Sequence, residues 1–197
     1  YGSTWKGELT IKDVTLRNTK TPSGIYALWS NHYFGYDTYL PETVIIDTST
    51  AHRTNPDWAY GFPELSSAHR EKLKASKRIA VPGCHASGFI SLVYPLVEKG
   101  IVSKDILLSC FSLTGYSGGG KQMIAEYESD ELDPLLVAPR QYGLTQKHKH
   151  LPEMKAITGI KNAPAFMPIV SDFYSGMEVT VPLDKSFFKS SAVKGAA

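Results

Sequence analysis

The chain has 197 residues, 42% of them hydrophobic, and a net charge of +2, enough to bury a sizeable core in one domain or two small ones. Its 21 basic and 19 acidic residues are interspersed, which excludes the single clustered basic face of a nucleic-acid binder. No run of about 18 apolar residues and no basic-then-apolar leader stands in the sequence, so neither a membrane span nor a signal peptide is expected; Cys84 and Cys110 lack a secretory spacing and read as reduced thiols of a cytoplasmic protein.

Residues 1–43 are the least legible part, with only Leu9 to Leu16 alternating like a half-buried strand. Thr43-Val44-Ile45-Ile46-Asp47 is a short β-branched run ending in an acid, the pattern of a buried parallel strand at its carboxyl end. Thr48 to Pro63 then forms a loop on the ligand-facing edge of a sheet. A polar helix is expected over Ser66 to Lys77 and a strand over Arg78 to Val81, stopped by Pro82. From Cys84 onward Phe89, Ile90, Leu92, Val93, Leu96 and Val97 mark one face of a helix that ends at Gly100. A strand over Ile106 to Leu113 leads into the glycine-rich loop Gly115 to Gly120, followed by short helices over Lys121 to Tyr127 and Pro152 to Ile157. Strands are expected over Ala165 to Ser171 and Met177 to Leu183, the last alternating Val179 and Val181 with Glu178 and Thr180. The mixture indicates an α/β or α+β enzyme-like domain.

The chemistry centres on Cys84. Pro82-Gly83 stops a strand, and a cysteine then opens a helix whose unpaired N–H groups favour an anion; the small residues around it leave the thiol uncovered. The alternative is an inert buried cysteine, which is how Cys110, amid Leu107, Leu108 and Phe111, reads. An acid/base near neutral pH is best supplied by His148 or His150, and two histidines two apart share a face only in extended backbone; an exposed basic turn is the alternative. A metal held by His148, His150 and Glu153 is disfavoured by the flanking Lys147 and Lys149, so no metal is expected. Gly115-Tyr116-Ser117-Gly118-Gly119-Gly120-Lys121 can bring backbone N–H groups to a phosphate or carboxylate, though Gln122 breaks the P-loop pattern and a flexible turn is equally compatible. Arg53, just past a strand end, can hold a carboxylate bidentately or remain a surface charge.

Five segments in order carry a resemblance: Ile46 to Arg53, Tyr60-Gly61-Phe62-Pro63-Glu64-Leu65, Pro82-Gly83-Cys84, Gly115 to Lys121, and His148-Lys149-His150-Leu151-Pro152-Glu153. Over residues 44–184 the chain resembles the N-acetyl-γ-glutamyl-phosphate reductases, relatives of aspartate-semialdehyde dehydrogenase, in their shorter bacterial-type subfamily. That resemblance implies an α/β plus α+β chain: a remnant of a Rossmann-type dinucleotide-binding domain (1–83), a mixed-sheet catalytic and dimerisation domain (84–185), and a C-terminal segment (186–197) joined across missing residues. It implies NADP-dependent reduction of N-acetyl-γ-glutamyl phosphate through a Cys84 thioester in a homo-oligomer, dimer or tetramer. His150 would be the acid/base and His148 its assistant; Arg53, Ser87 and Glu153 would lie at the substrate, and Ser117, Gly118, Gly119 and Gly120 would border NADPH. The chain departs from the family's usual residues at Val81, His85 and Ser87, where an Asn, an aromatic and a Thr are usual, and residues 1–43 lack the glycine-rich dinucleotide turn. A reductase for another acyl phosphate, a cysteine hydrolase and a non-catalytic fragment stay open as alternatives.

Overall fold

The computed structural model describes the backbone of residues 26–30 and 43–188, with side chains from residue 44 onward. The strand expected over Leu9 to Leu16 lies outside the described residues, as does most of the 186–197 segment. Two four-stranded sheets make up the framework. In the first, β1 (Tyr26–Ser30), β2 (Thr43–Asp47), β3 (Ala59–Tyr60) and β4 (Arg78–Ala80) are ordered β1-β2-β4-β3, with β2, β4 and β3 parallel and β1 antiparallel to β2. The expected parallel strand at Thr43–Asp47 is present and buries Val44 and Asp47 on opposite faces, but Ile45 is 37% exposed, so it is not buried along its whole length. The short β3 interrupts what the sequence presents as a continuous loop; its two residues are buried.

Between β3 and β4 lies α1 (Ser67–Ala75), capped by the Ser66 side chain, which accepts a hydrogen bond from the His69 N–H. After β4 the chain turns through Val81 to Gly83 into α2 (Cys84–Glu98). Ala86, Phe89, Ile90, Val93 and Val97 fall on its buried face at helical spacing, and Gly100 ends the helix at φ 66°, its N–H bonded to the Val97 carbonyl.

The second sheet is ordered β6-β7-β5-β8, built from β5 (Ser109–Gly115), β6 (Arg140–Gln141), β7 (Ala165–Ser171) and β8 (Met177–Thr180). Its central pair β5 and β7 is parallel, and both edge strands are antiparallel to their neighbours. The pairing moves the expected strand at 106–113 two to three residues along the chain and ends the last strand at Thr180 rather than Leu183. Side chains alternate across the central pair. Cys110, Ser112, Phe166 and Val170 are buried on one side, whereas Phe111 remains 38% exposed.

Over part of the buried side pack α2 and α4 (Leu151–Thr158), giving a core of Ala86, Phe89, Ile90, Val93, Cys110, Leu151, Met154 and Phe166. Fully burying a side chain such as Phe89 stabilises by roughly 1.5–3 kcal/mol. Close packing reaches its limit at Gly88, where a Cβ would collide with the Val179 side chain on β8. Cys110 lies in this core, as expected; burial pushes its thiol up to about 12. The glycine-rich loop is a 3-10 turn over Tyr116–Gly119 that precedes α3 (Lys121–Tyr127).

Candidate active site

Cys84 is the first residue of α2. Gly83 precedes it in extended conformation (φ −74°), and the thiol is free and exposed. Glycine stands at 83 for space rather than for an unusual dihedral. A Cβ there would collide with the His150 imidazole and come within 2.5 Å of the Arg53 guanidinium. Gly83→Ala is therefore expected to displace both groups and lower turnover by about 100-fold, on the scale of a 1 Å misplacement at a reacting centre; a steady-state assay beside a thermal melt checks it. Turnover close to that of the parent protein would show that His150 need not sit where it does.

His150 is the residue before α4, buried to 3% exposure, and its ring lies 4.8 Å from that of His148 and 5.5 Å from that of His85. The chain is turned here, not extended as the two-residue spacing suggests: Leu151 N–H bonds to the His148 carbonyl, and His150 N–H donates to His148 Nδ1 at 3.2 Å. That bond makes Nδ1 the acceptor and leaves the proton of neutral His148 on Nε2.

His85 completes the cluster. One ring nitrogen meets Ser112 Oγ at 2.6 Å and the other the Tyr142 hydroxyl at 2.8 Å. Burial, reinforced by His148 and then Lys149, lowers His85 to about 4. Burial and then His148, His85, Arg53 and Lys149 lower His150 to about 3, and burial also lowers His148. All three are neutral at pH 7. Tyr142 is pushed up to about 12 by burial and then by Cys84, which places its hydroxyl in the field of the thiol.

This cluster also sets a pH dependence. The unfolded chain binds protons at these histidines below about 6.5, while the folded chain resists them until about 4 and about 3 at His85 and His150. Their contribution to stability is thus complete above pH 6.5 and is lost progressively as pH falls towards 3. The melting temperature is expected to drop between pH 7 and pH 4.5, and to drop less in His150→Asn; equal slopes for the two proteins would refute the assignment.

Glu153 sits beneath Gly83, 1% exposed. Its carboxylate accepts the Gly83 N–H at 2.8 Å and the Tyr60 hydroxyl at 2.7 Å on Oε1, and pairs with Arg53 at 3.2 Å on Oε2. Burial and the Glu153 charge raise Tyr60 far above the usual phenol range. Arg53 is itself 9% exposed and gives two more hydrogen bonds, to the Val81 and Thr48 carbonyls. The structure thus brings Cys84, His148, His150, Arg53 and Glu153 together. It turns Arg53 and Glu153 inward, towards each other, rather than out into solvent. Ser87, half-buried one turn along α2, donates its hydroxyl to the Gly83 carbonyl at 2.9 Å.

Ser117 to Gly120 lies apart from this cluster. It follows the end of β5, whose Ser112 is the strand's contact with His85. The amides of Tyr116, Ser117 and Gly120 are taken by the carbonyls of Phe173, Tyr174 and Ser117. Gly119 makes room for Met123, and Gly120 adopts φ 76°. Tyr60, Ser112 and Tyr142 are site residues to which the sequence gives no role, and His85 stands there only as a departure beside the cysteine. Tyr60 stands in a quoted segment and His85 adjoins the cysteine, whereas nothing local marks Ser112 or Tyr142. The His148, His150 and Glu153 metal trio is not assembled, because Glu153 is engaged by its own chain; instead Cys84, His85 and His150 offer ligand atoms within 4.8 Å of one another.

Residues 84–194, more than half of the chain, match the family model described as semialdehyde dehydrogenase, dimerisation domain. A protein of Sinorhizobium medicae named N-acetyl-gamma-glutamyl-phosphate reductase is 49% identical over 140 residues, 71% of this chain and 45% of that protein. A Brucella anthropi protein of the same name is 48% identical over 143 residues, 72% of this chain and 46% of its own length. The chain thus spans about half the length of the curated relatives it matches. Among solved structures, aspartate semialdehyde dehydrogenase II from Vibrio cholerae shares the fold at 16% identity with a TM-score of 0.52, covering 70% of this chain and 47% of that one. The match over more than half of the chain, on a helix opened by a free cysteine beside a mixed sheet, makes this protein a member of the semialdehyde dehydrogenase dimerisation-domain family.

Proposed function

We propose that the chain is the catalytic part of an NADP-dependent reductase that converts N-acetyl-γ-glutamyl phosphate into the semialdehyde, the activity named for its relatives. The carrying observation is the exposed Cys84 at the first turn of α2, with the His150 imidazole against Gly83. In this reading the Cys84 sulfur attacks the acyl carbon and gives its proton to His150. A C–S bond forms, the bond from the acyl carbon to the phosphate oxygen breaks, and phosphate leaves. The amides opening α2 favour the negative charge that develops on the acyl oxygen. When the aldehyde departs, the C–S bond breaks and the sulfur recovers a proton from His150. His148 orients His150 through its backbone N–H, and Arg53 and Glu153 act as positioning residues under Gly83. Ser87, one turn along the same helix, is assigned to the substrate.

The reduction draws its hydride from a nicotinamide cofactor, NADPH in this proposal. The amides at 116, 117 and 120 are already bonded to carbonyls of the chain, so Ser117 to Gly120 is assigned only as a bordering surface. Residues 1–83 are assigned to the end of a dinucleotide-binding domain, supported by the parallel β2-β4-β3 set and by a family match that begins at residue 84. Residues 84–185 are the catalytic and dimerisation unit, and 186–197 a C-terminal segment. Phe111 and Met177, each 38% exposed on β5 and β8, suit a homo-oligomer, dimer or tetramer. No helix among the described residues is long and apolar enough to cross a membrane; a cytoplasmic location belongs to the proposal.

Acylation is tested without NADPH. Mixing the protein with N-acetyl-γ-glutamyl phosphate is expected to release one phosphate per chain in a burst and to leave an acyl adduct on Cys84, read by intact mass and peptide mapping. Aspartyl phosphate should give no burst. Continuous phosphate release would instead mark a cysteine hydrolase, and no release a non-catalytic chain.

A further inference from the structure

The Cys84, His85 and His150 cluster has the composition of a site for a thiophilic divalent cation, and we propose that it binds Zn²⁺ with one thiolate and two imidazoles. The ligand atoms of the three residues lie within 4.8 Å of one another. A tetrahedral zinc ion with Zn–S near 2.3 Å and Zn–N near 2.0–2.1 Å holds its ligands roughly 3.5 Å apart. The set must therefore contract by about 1 Å at most; rotation of the exposed Cys84 side chain brings the sulfur in, and the two imidazoles, whose ring centroids are 5.5 Å apart, close on the ion by turning.

His85 is already oriented for the task. Ser112 Oγ meets Nδ1 at 2.6 Å and Tyr142 meets Nε2 at 2.8 Å. With the Nδ1 proton held by Ser112, the Nε2 lone pair faces the Tyr142 hydroxyl, which feels Cys84; the ion takes the place of the tyrosine proton there. This arrangement, a ligating ring fixed through its other nitrogen, is the usual support of a bound histidine. His150 adds an independent indication: it is 3% exposed, and its Nδ1 is buried with no hydrogen-bond partner among the described residues. The positive charge of Lys149 and Arg53 is felt at His150 and opposes a cation, but it is offset in part. Lys147 and Lys149 are exposed, and the Arg53 charge is paired with Glu153. Three protein ligands leave the fourth position of a tetrahedral ion on the open side of Cys84, so binding occupies the sulfur and blocks its acylation. Coordination releases the thiol proton to solvent and changes no oxidation state.

The test uses the purified protein with Co²⁺ as the spectroscopic probe and Zn²⁺ as the competitor, without substrate or NADPH, so its result is separate from that of the reductase proposal. Co²⁺ is expected to give a thiolate-to-metal charge-transfer band in the near ultraviolet together with tetrahedral d–d bands, both removed by one equivalent of Zn²⁺. Cys84→Ser should abolish the charge-transfer band. His85→Phe and His150→Gln should each weaken Zn²⁺ binding by about 100-fold or more, beyond what loss of a supporting residue costs; His148→Asn should leave the band in place. Circular dichroism checks each fold, and because Cys84 is exposed its variant decides the question even where a histidine variant fails to fold. Absence of the band in the parent protein, or Zn²⁺ affinity that survives Cys84→Ser, overturns the proposal.

Discussion

Cys84→Ser is expected to lower the rate of phosphate release from the acyl phosphate by at least about 10⁴-fold, the order of loss seen when a covalent nucleophile is removed. The hydroxyl is a far weaker nucleophile than the thiol it replaces, and the groups around it are built to take one proton, not to ionise an alcohol. The side chain is exposed at a helix start, so the melting temperature should not change. Cys110→Ser provides the control. That thiol is fully buried in the core, and its substitution should leave the phosphate burst intact while costing stability through a buried hydroxyl, on the order of 1–3 kcal/mol if the group is left unpaired. Rapid-quench phosphate measurement on both variants checks the pair. A burst retained in Cys84→Ser but lost in Cys110→Ser would move the chemistry to the other sulfur.

Glu153→Ala is expected to destabilise the protein by about 3–5 kcal/mol, because removing one partner leaves a buried charge uncompensated. Three donors lose their acceptor at once: the Arg53 guanidinium, the Tyr60 hydroxyl and the Gly83 N–H. Those donors come from the loop after β2, from β3 and from the turn into α2, while Glu153 itself is on α4. One carboxylate therefore ties the first sheet to both helices beside Cys84. Glu153→Gln should cost less, since an amide oxygen can still accept from Tyr60 and Gly83, although its NH₂ then faces Arg53. Urea denaturation curves of the three proteins check the order. Should Glu153→Ala keep its stability and show only a raised KM, the residue would contact substrate, as the resemblance implied, and would not serve as an internal tie.

The local parts of this architecture were readable in advance. A β-branched run at 43–47, the apolar spacing from Phe89 to Val97, glycine at 100 and the Pro152 start of a helix each declare an element through residues a few positions apart. The errors lie where pairing decides. Leu107 and Leu108 read as strand, but β5 begins at Ser109, where registry with Ala165 begins. Val181 and Leu183 continue an apolar pattern after the β8 ladder has ended at Thr180. Ala59 and Tyr60 carry too short a signal to register as a strand and become one by pairing with Ile79 and Ala80. At 148–150 the two-residue spacing suggested extended backbone, whereas a turn brings the rings together.

The sequence by itself determined the nucleophile candidate: a strand stop, a glycine and a cysteine at a helix start lie within three positions, so backbone geometry alone uncovers the sulfur. It also singled out both histidines as acid/base candidates. Only the tertiary structure decided what surrounds them. Arg53 and Glu153 are 100 positions apart, Tyr60 and Glu153 are 93 apart, and His85 and Tyr142 are 57 apart. Such contacts follow from how two sheets and two helices pack, and no local pattern encodes them. Packing placed Glu153 and Arg53, which the resemblance sets at the substrate, as a buried ion pair. It also desolvated three imidazoles so that they stay neutral at pH 7, because an uncompensated charge is costly away from water.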